Sequence, residues 1–356
     1  MRRGIADLPL HYGKAPPWLF ERMVSLSRSI LEFIAMEYGR DEILKRLSDP
    51  FWFQSLGCVL GFDWHSSGVT TTVCGALKEA LRSVGRDLGV FSAGGKGKSA
   101  LETPKHLDTL GERFSVDVEG LKDVSRLVAK VDNVLVQDGY RLYHHSLFFT
   151  EDGKWVVIQQ GMNAMLRLAR RYHWAGEGLR SFVEEPHSGI SAQEVHRKII
   201  LNLISSKSAG VRKAILELVN DGETFLKELD NVKRLSMPRR HYISPEDVNR
   251  VKLRETLNKV QNRIRSFEDL LRIRGIGEKT IRALTFVSEI VCGAKPSFED
   301  PARYSFAHGG KDGHPYPVQK DIYDTTIGML KEAIARARIG DREKLKAIKR
   351  LSELIS

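Results

Sequence analysis

The chain has 356 residues, enough for two domains each with its own core. Its 56 Lys and Arg against 45 Asp and Glu leave a formal charge of +11, which suggests a polyanionic partner such as nucleic acid, although a basic surface also serves solubility alone. The three cysteines, Cys58, Cys74 and Cys292, are too few and too scattered for a disulfide framework or a Cys-rich metal site, and their apolar neighbours predict buried thiols.

The opening MRRGIADLPLHYGKAPP carries charge with no apolar run behind it, and no window is apolar for long enough to span a membrane. A cytoplasmic protein with no membrane association is therefore expected. From Trp18 to Tyr38 the spacing of Leu19, Met23, Leu26, Ile30, Ile34 and Met36 predicts an amphipathic helix that Gly39 stops. A short helix over 41–48 and the apolar run FWFQSLGCVLGF follow. Asp63-Trp64-His65-Ser66-Ser67-Gly68 is a polar cluster set after that buried run, suited either to lining a cleft or to capping and turning the chain.

Ser92 to Pro104, SAGGKGKSALETP, is expected to be a loop. It is not a nucleotide-binding P-loop, because Ser92 stands where the first glycine of that motif belongs. Contact with a nucleic-acid phosphate and simple mobility both remain open for it. From Asn133 to Gln160 the runs NVLVQ, YRLYHHSLFF and KWVVIQQ, separated by Asp138-Gly139 and Glu151-Asp152-Gly153, predict a small antiparallel meander. Residues 162–172 are expected to return to helix, with Arg167, Arg170 and Arg171 on a basic face beside Tyr172, His173 and Trp174. Such a face suits phosphate and exposed-base contact, and it equally suits a solvated surface.

Glu184 to Gly189 has loop composition and is expected to divide the chain into an α+β domain, residues 1–190, and an all-helical domain, residues 191–356. Helices are predicted over 191–206, 208–220, 222–230, 245–264, 319–338 and 341–354. Lys295 to Val318, rich in Gly, Pro and His, is a long loop of the kind that is usually functional or disordered. Within this half, SFEDLLRIRGIGEKTIRALTFVSEIV places two apolar helical patterns around Gly275-Ile276-Gly277. This predicts a short helical hairpin whose turn admits close backbone approach, with exposed amides that suit a phosphate. A tight helix–helix connection inside a core would have the same spacing. At the start of the second helix Lys279 has two readings: a cation that touches phosphate, or an amine brought toward neutrality by the helix dipole and burial.

Gly275-Ile276-Gly277-Glu278-Lys279-Thr280 resembles the helix-hairpin-helix of endonuclease III-like DNA glycosylases, over roughly residues 195–340. The resemblance implies DNA-backbone contact by Arg274, Gly275, Ile276, Gly277, Glu278 and Thr280, with Lys279 as the catalytic amine. It implies a catalytic aspartate beyond the second helix, for which Asp300 or its neighbour Glu299 stands in place. The implied activity is base excision with strand cleavage through a Schiff base, the carboxylate stabilising an oxocarbenium-like state and the base leaving the stack. It requires no cofactor and allows a monovalent cation at the hairpin. The cysteine cluster that binds iron and sulfur in many of those enzymes is missing.

Two rival readings stand beside it. Asp63, His65, His144, His145 and Gln159 are polar groups that could hold a divalent metal for structure-specific DNA cleavage, although His144 and His145, adjacent on a strand, must face opposite ways. The third reading is a DNA-binding adaptor with no catalysis. The whole chain also resembles an uncharacterised family of archaeal and bacterial proteins, through DPFWFQSLGCVLGFDWHSSGVTTTVCGALKEAL, YHHSLFF, QQGMN and DPARYSFAHGG. That resemblance implies no activity; it implies that the two halves work as one unit.

Overall fold

The structure, a computed structural model, describes residues 15–61, 68–165, 168–192, 200–234, 241–260, 264–302, 304–305, 320–337 and 339–353. Four helices come first, α1 (Pro17–Tyr38), α2 (Arg40–Ser48), α3 (Pro50–Leu60) and α4 (Gly68–Leu88), and then strand β1 (Val90–Lys96). Helices α5 (Lys98–Leu101), α6 (Thr103–Phe114) and α7 (Glu119–Val134) lead to strands β2 (Val136–Gln137), β3 (Arg141–Thr150), β4 (Trp155–Asn163), β5 (Leu168–Ala175), β6 (Gly189–Ala192) and β7 (Leu201–Asn202). The remainder is α8 (Ala209–Asn220), α9 (Gly222–Glu228), α10 (Arg250–Val260), α11 (Phe267–Arg272), α12 (Glu278–Cys292), β8 (Tyr304–Ser305), α13 (Lys320–Arg336) and α14 (Asp341–Glu353).

Local chemistry explains the helix boundaries. Pro17 at the first position of α1 gives up no hydrogen bond, and Gly39 at φ +88° ends the helix. Asp49 caps α3 by accepting from the amides of Phe51 (2.7 Å) and Trp52 (3.2 Å). In α2, Asp41 and Glu42 sit in the first turn and Lys45 and Arg46 in the last, complementing the helix dipole.

The main sheet has the order β1-β3-β4-β5-β6-β8, antiparallel except for the β6–β8 pair. Both of its faces are covered. On one, Phe91, Leu147, Phe149, Val157 and Trp174 join Leu127, Val128 and Val131 of α7, and this core runs on through Val211 and Ile215 of α8 to Leu270, Ile281 and Leu284 of the hairpin. On the other, Val90, Phe148, Val156 and Ile158 meet α1, α3 and α4 together with Leu330, Ile334 and Leu351 of α13 and α14. Each fully buried side chain of this size contributes about 1.5–3 kcal/mol, so the fold is held by both layers.

The α+β class is as expected, and several details differ. Residues 162–172 are not helical: β4 ends at Asn163 and Leu168–Ala175 is a central strand. The glycine-rich segment begins as strand β1 rather than loop, and α6 and α7 occupy a stretch for which no element is predicted above. NVLVQ contributes only Val136–Gln137 to a strand, and that strand pairs with β7 instead of β3. Among the described residues of 191–206 there are strand ends and a 3-10 turn at Ser206–Ser208 in place of a helix. The C-terminal half is thus not all helical, since β7 and β8 belong to it and Ser297 bridges to Asn202. The boundary expected at residue 190 falls within β6, and the first core draws residues from both sides of it. Cys58 and Cys74 are buried as predicted, whereas Cys292 at the end of α12 is exposed.

Candidate nucleic-acid interface

The hairpin forms where its sequence places it. Ser266 caps α11 through a reciprocal pair: its Oγ accepts from the Asp269 amide (3.1 Å), and Asp269 Oδ2 accepts from the Ser266 amide (3.0 Å). The chain leaves α11 through Ile273, turns at Gly275, and enters α12 at Glu278. Gly275 has φ +101°, a conformation that disfavours any other residue. Ile276 is fully buried and plugs the turn into the core, so its side chain is an anchor and not a DNA contact. Gly277 differs from Gly275. Its backbone is extended at φ −120°, and no atom lies within 4 Å of the position a Cβ would take.

No side chain caps α12, which leaves its first amides to solvent or a ligand. Arg274, Gly275, Glu278 and Lys279 are exposed around this end, with Thr280 half-buried. The hairpin is braced from behind. Arg272 is bidentate to Asp123 on α7 (Nε 3.1 Å, Nη2 2.8 Å). Arg282 Nε donates to Gln137 Oε1 (2.7 Å), whose amide in turn donates to the Glu278 carbonyl (3.1 Å).

The structure does not bring Lys279 and Asp300 together. Lys279 Nζ is ion-paired with Asp247 Oδ1 at 2.7 Å, and the lysine side chain is 63% exposed. That hydrogen bond, helped by the Ser244 amide, holds the Asp247 carboxyl below the usual carboxylate range. The Asp300 side chain is fully buried and bidentate to Arg170 (3.0 and 2.7 Å). Glu299, the neighbouring carboxylate, is exposed and paired with Lys207 at 2.6 Å.

Arg170 and Arg171 are likewise not an exposed basic face. Strand geometry sends them to opposite sides of β5, and both are buried. Arg170 also reaches Asp138 Oδ2 (3.1 Å), which accepts from the Tyr172 hydroxyl (2.6 Å). Burial pushes the Asp138 carboxyl up while Arg170 opposes the shift. On the other side, Arg171 donates to Gln54 Oε1 (3.0 Å), the Pro50 carbonyl (3.3 Å) and Thr70 Oγ1 (3.4 Å), over the ring of Phe53. Burial lowers its guanidinium to about 9.

His144 and His145 face opposite ways, as their adjacency requires. His145 joins Ser125 (2.9 Å) and Gln159 (2.7 Å), and Gln159 donates to Asp132 (2.5 Å). Asp132 also accepts from Trp174 (2.9 Å) and pairs with His187 (2.6 Å). His144 Nε2 meets Ser146 Oγ at 3.1 Å. Asp63, His65 and Arg167 lie outside the described residues, as does most of the loop after Ala302. Among the described residues no group of three or more His, Cys, Asp or Glu could hold a metal ion. Asp132, Asp138 and His187 carry much of the buried polar network without belonging to any motif; only Asp138, placed at a predicted turn, had a signal, and it was for shape.

These features describe a mixed α+β protein that turns an uncapped helical hairpin outward from a core shared by its two halves. The chain belongs to the family described as "Protein of unknown function (DUF763)", which matches residues 4–318 and so runs through both halves. No curated protein and no solved structure matches it. No helix among the described residues is long and apolar enough to cross a membrane.

Proposed function

We propose that the protein binds the DNA backbone through the turn from Arg274 to Lys279, a phosphate sitting on the first amides of α12. One observation carries this reading: Gly277 has no intramolecular reason to be glycine. Its φ of −120° suits any residue and its Cβ position is empty. At this N-cap no side chain covers the first amides of α12, so the backbone is open to a partner that comes close. The net charge of +11 and the exposed Arg274 and Lys279 act in the same direction.

The reading is that of a binding protein. Lys279 is engaged with Asp247 at 2.7 Å on the exposed hairpin surface, with no catalytic carboxylate brought beside it. Asp300 is committed to Arg170 in the interior. Glycosylase and lyase activity therefore draws no support from this pair.

The test is fluorescence anisotropy of labelled duplex DNA with Gly277→Val and Arg274→Gln variants. Gly277→Val is expected to weaken binding about tenfold or more, a loss of at least ~1.4 kcal/mol. Arg274→Gln is expected to flatten the salt dependence by about one phosphate contact. Unchanged affinity in Gly277→Val, with an unchanged fold by circular dichroism, would sink the proposal.

A further inference from the structure

Helix α7 lies along the hairpin turn, and one of its faces is charged and so far unused. Arg272, the last residue of α11, is bidentate to Asp123 near the start of α7. The carbonyl of Glu278, the first residue of α12, accepts from Gln137 just beyond the end of α7. The two ends of the turn are thus tied to the two ends of α7, and residues 273–277 run beside its middle. Lys130 stands at that middle, about 10 Å along the axis from Asp123 at a rise of ~1.5 Å per residue. The spacing of Asp123, Arg126 and Lys130 by three and four residues puts all three on one side of the helix. Leu121 and Val128, on the opposite side, belong to the core.

Several cations of this neighbourhood are already neutralised. Lys122 pairs with Asp108 (2.7 Å) and Glu119, Arg282 with Glu278, Arg272 with Asp123, and Lys279 with Asp247. Arg126, Lys130 and Arg274 differ: among the described residues none of them has a carboxylate or hydrogen-bond partner. Arg126 and Arg274 are exposed, and Lys130 is half-buried. Burial lowers the Lys130 ammonium, with no acid beside it to oppose the shift. A cation drawn partly out of water without an anion is costly to the fold, and a phosphate arriving at the turn supplies the missing charge.

We propose that the exposed face of α7 is the second wall of the DNA interface, with Arg126 and Lys130 contacting phosphates beside the one held at the α12 amides. The inference rests on the hairpin reading and extends it: the duplex is held by both halves of the chain, the turn from one and α7 from the other. Charge selects the occupant, because three cations without acid partners on adjoining surfaces fit a polyanion whose phosphates recur at regular spacing.

The experiment is fluorescence anisotropy of labelled duplex DNA over a salt series, with Arg126→Gln, Lys130→Gln, the double variant and Lys130→Arg. Each single change to Gln is expected to lower the salt slope by about one phosphate contact and the double change by about two, with Lys130→Arg keeping the slope of the unaltered chain. Arg126 is exposed, so its substitution leaves the fold intact, and thermal melting checks this for every variant. An unchanged slope in the double variant, while Gly277→Val weakens binding, overturns the α7 contact and leaves the hairpin reading standing. A lowered slope in the double variant with unchanged affinity in Gly277→Val supports the α7 contact and sinks the hairpin reading instead. Absence of duplex binding by the unaltered chain overturns both.

Discussion

The Lys279–Asp247 pair and the Asp138–Arg170–Asp300 cluster share a closest contact of 2.7 Å and almost nothing else. At the hairpin the lysine is 63% and the aspartate 34% exposed, so water screens their attraction. The side chains of Arg170, Asp138 and Asp300 are 0% exposed, and there the same contact offsets a desolvation cost of several kcal/mol for each ion. The first arrangement leaves a cation available to a partner. The second commits one to joining β5 to the segment that leads into β8. Surroundings, more than residue type or motif, decide which of the two a charged side chain does.

Breaking the buried cluster should give the largest effect. Asp300→Ala leaves Arg170 with half its carboxylate partners and is expected to cost about 3–5 kcal/mol in urea unfolding. A loss below about 1 kcal/mol would erase the contrast with the hairpin. Acid titration probes burial more widely, because burial lowers the imidazoles of His144, His145 and His173. A depressed folded value means that the unfolded chain takes up the proton first. Stability is therefore full above about pH 6.5 and falls as pH drops toward the His144 value of about 3, by up to ~1.4 kcal/mol per unit for each histidine. Unfolding midpoints measured across that window should fall less steeply in His144→Gln. The smallest effect belongs to the exposed pair: Lys279→Ala should change stability by less than about 1 kcal/mol. Borohydride trapping on abasic DNA should give the same adduct yield in Lys279→Ala as in the unaltered chain, and an adduct that depends on Lys279 would restore the lyase reading.

Elements whose periodicity answers to one buried face were legible beforehand: α1, the hairpin, α8, α13 and α14, and the paired strands β3 and β4 with Gly153 at their turn. Strand β5 was not, for a physical reason. With helices on both sides it buries Arg170, Tyr172 and Trp174 on one face and Arg171 and His173 on the other, so no polar side alternates with an apolar one. Arg167, Arg170 and Arg171 happen to be spaced as on a helix. Strand β1 was hidden by its glycines, which signal a loop in sequence although Gly94 answers to a neighbouring strand. The hairpin turn was legible because Gly275 is a local requirement. The partners of Lys279 and Asp300 were not, since Asp247 and Arg170 lie far away in the chain and nothing local encodes either meeting.

The second core has a consequence for the order in which the chain can mature. It combines α1, α3 and α4 and one face of the sheet with Leu330, Ile334 and Leu351 from the far end of the sequence. During synthesis the first helices emerge long before α13 and α14, and their apolar faces stay incompletely covered until those two helices have also left the ribosome. Folding of the first half alone would leave that surface open to aggregation, so truncations that remove α13 and α14 should accumulate as insoluble material even though every residue of the hairpin remains.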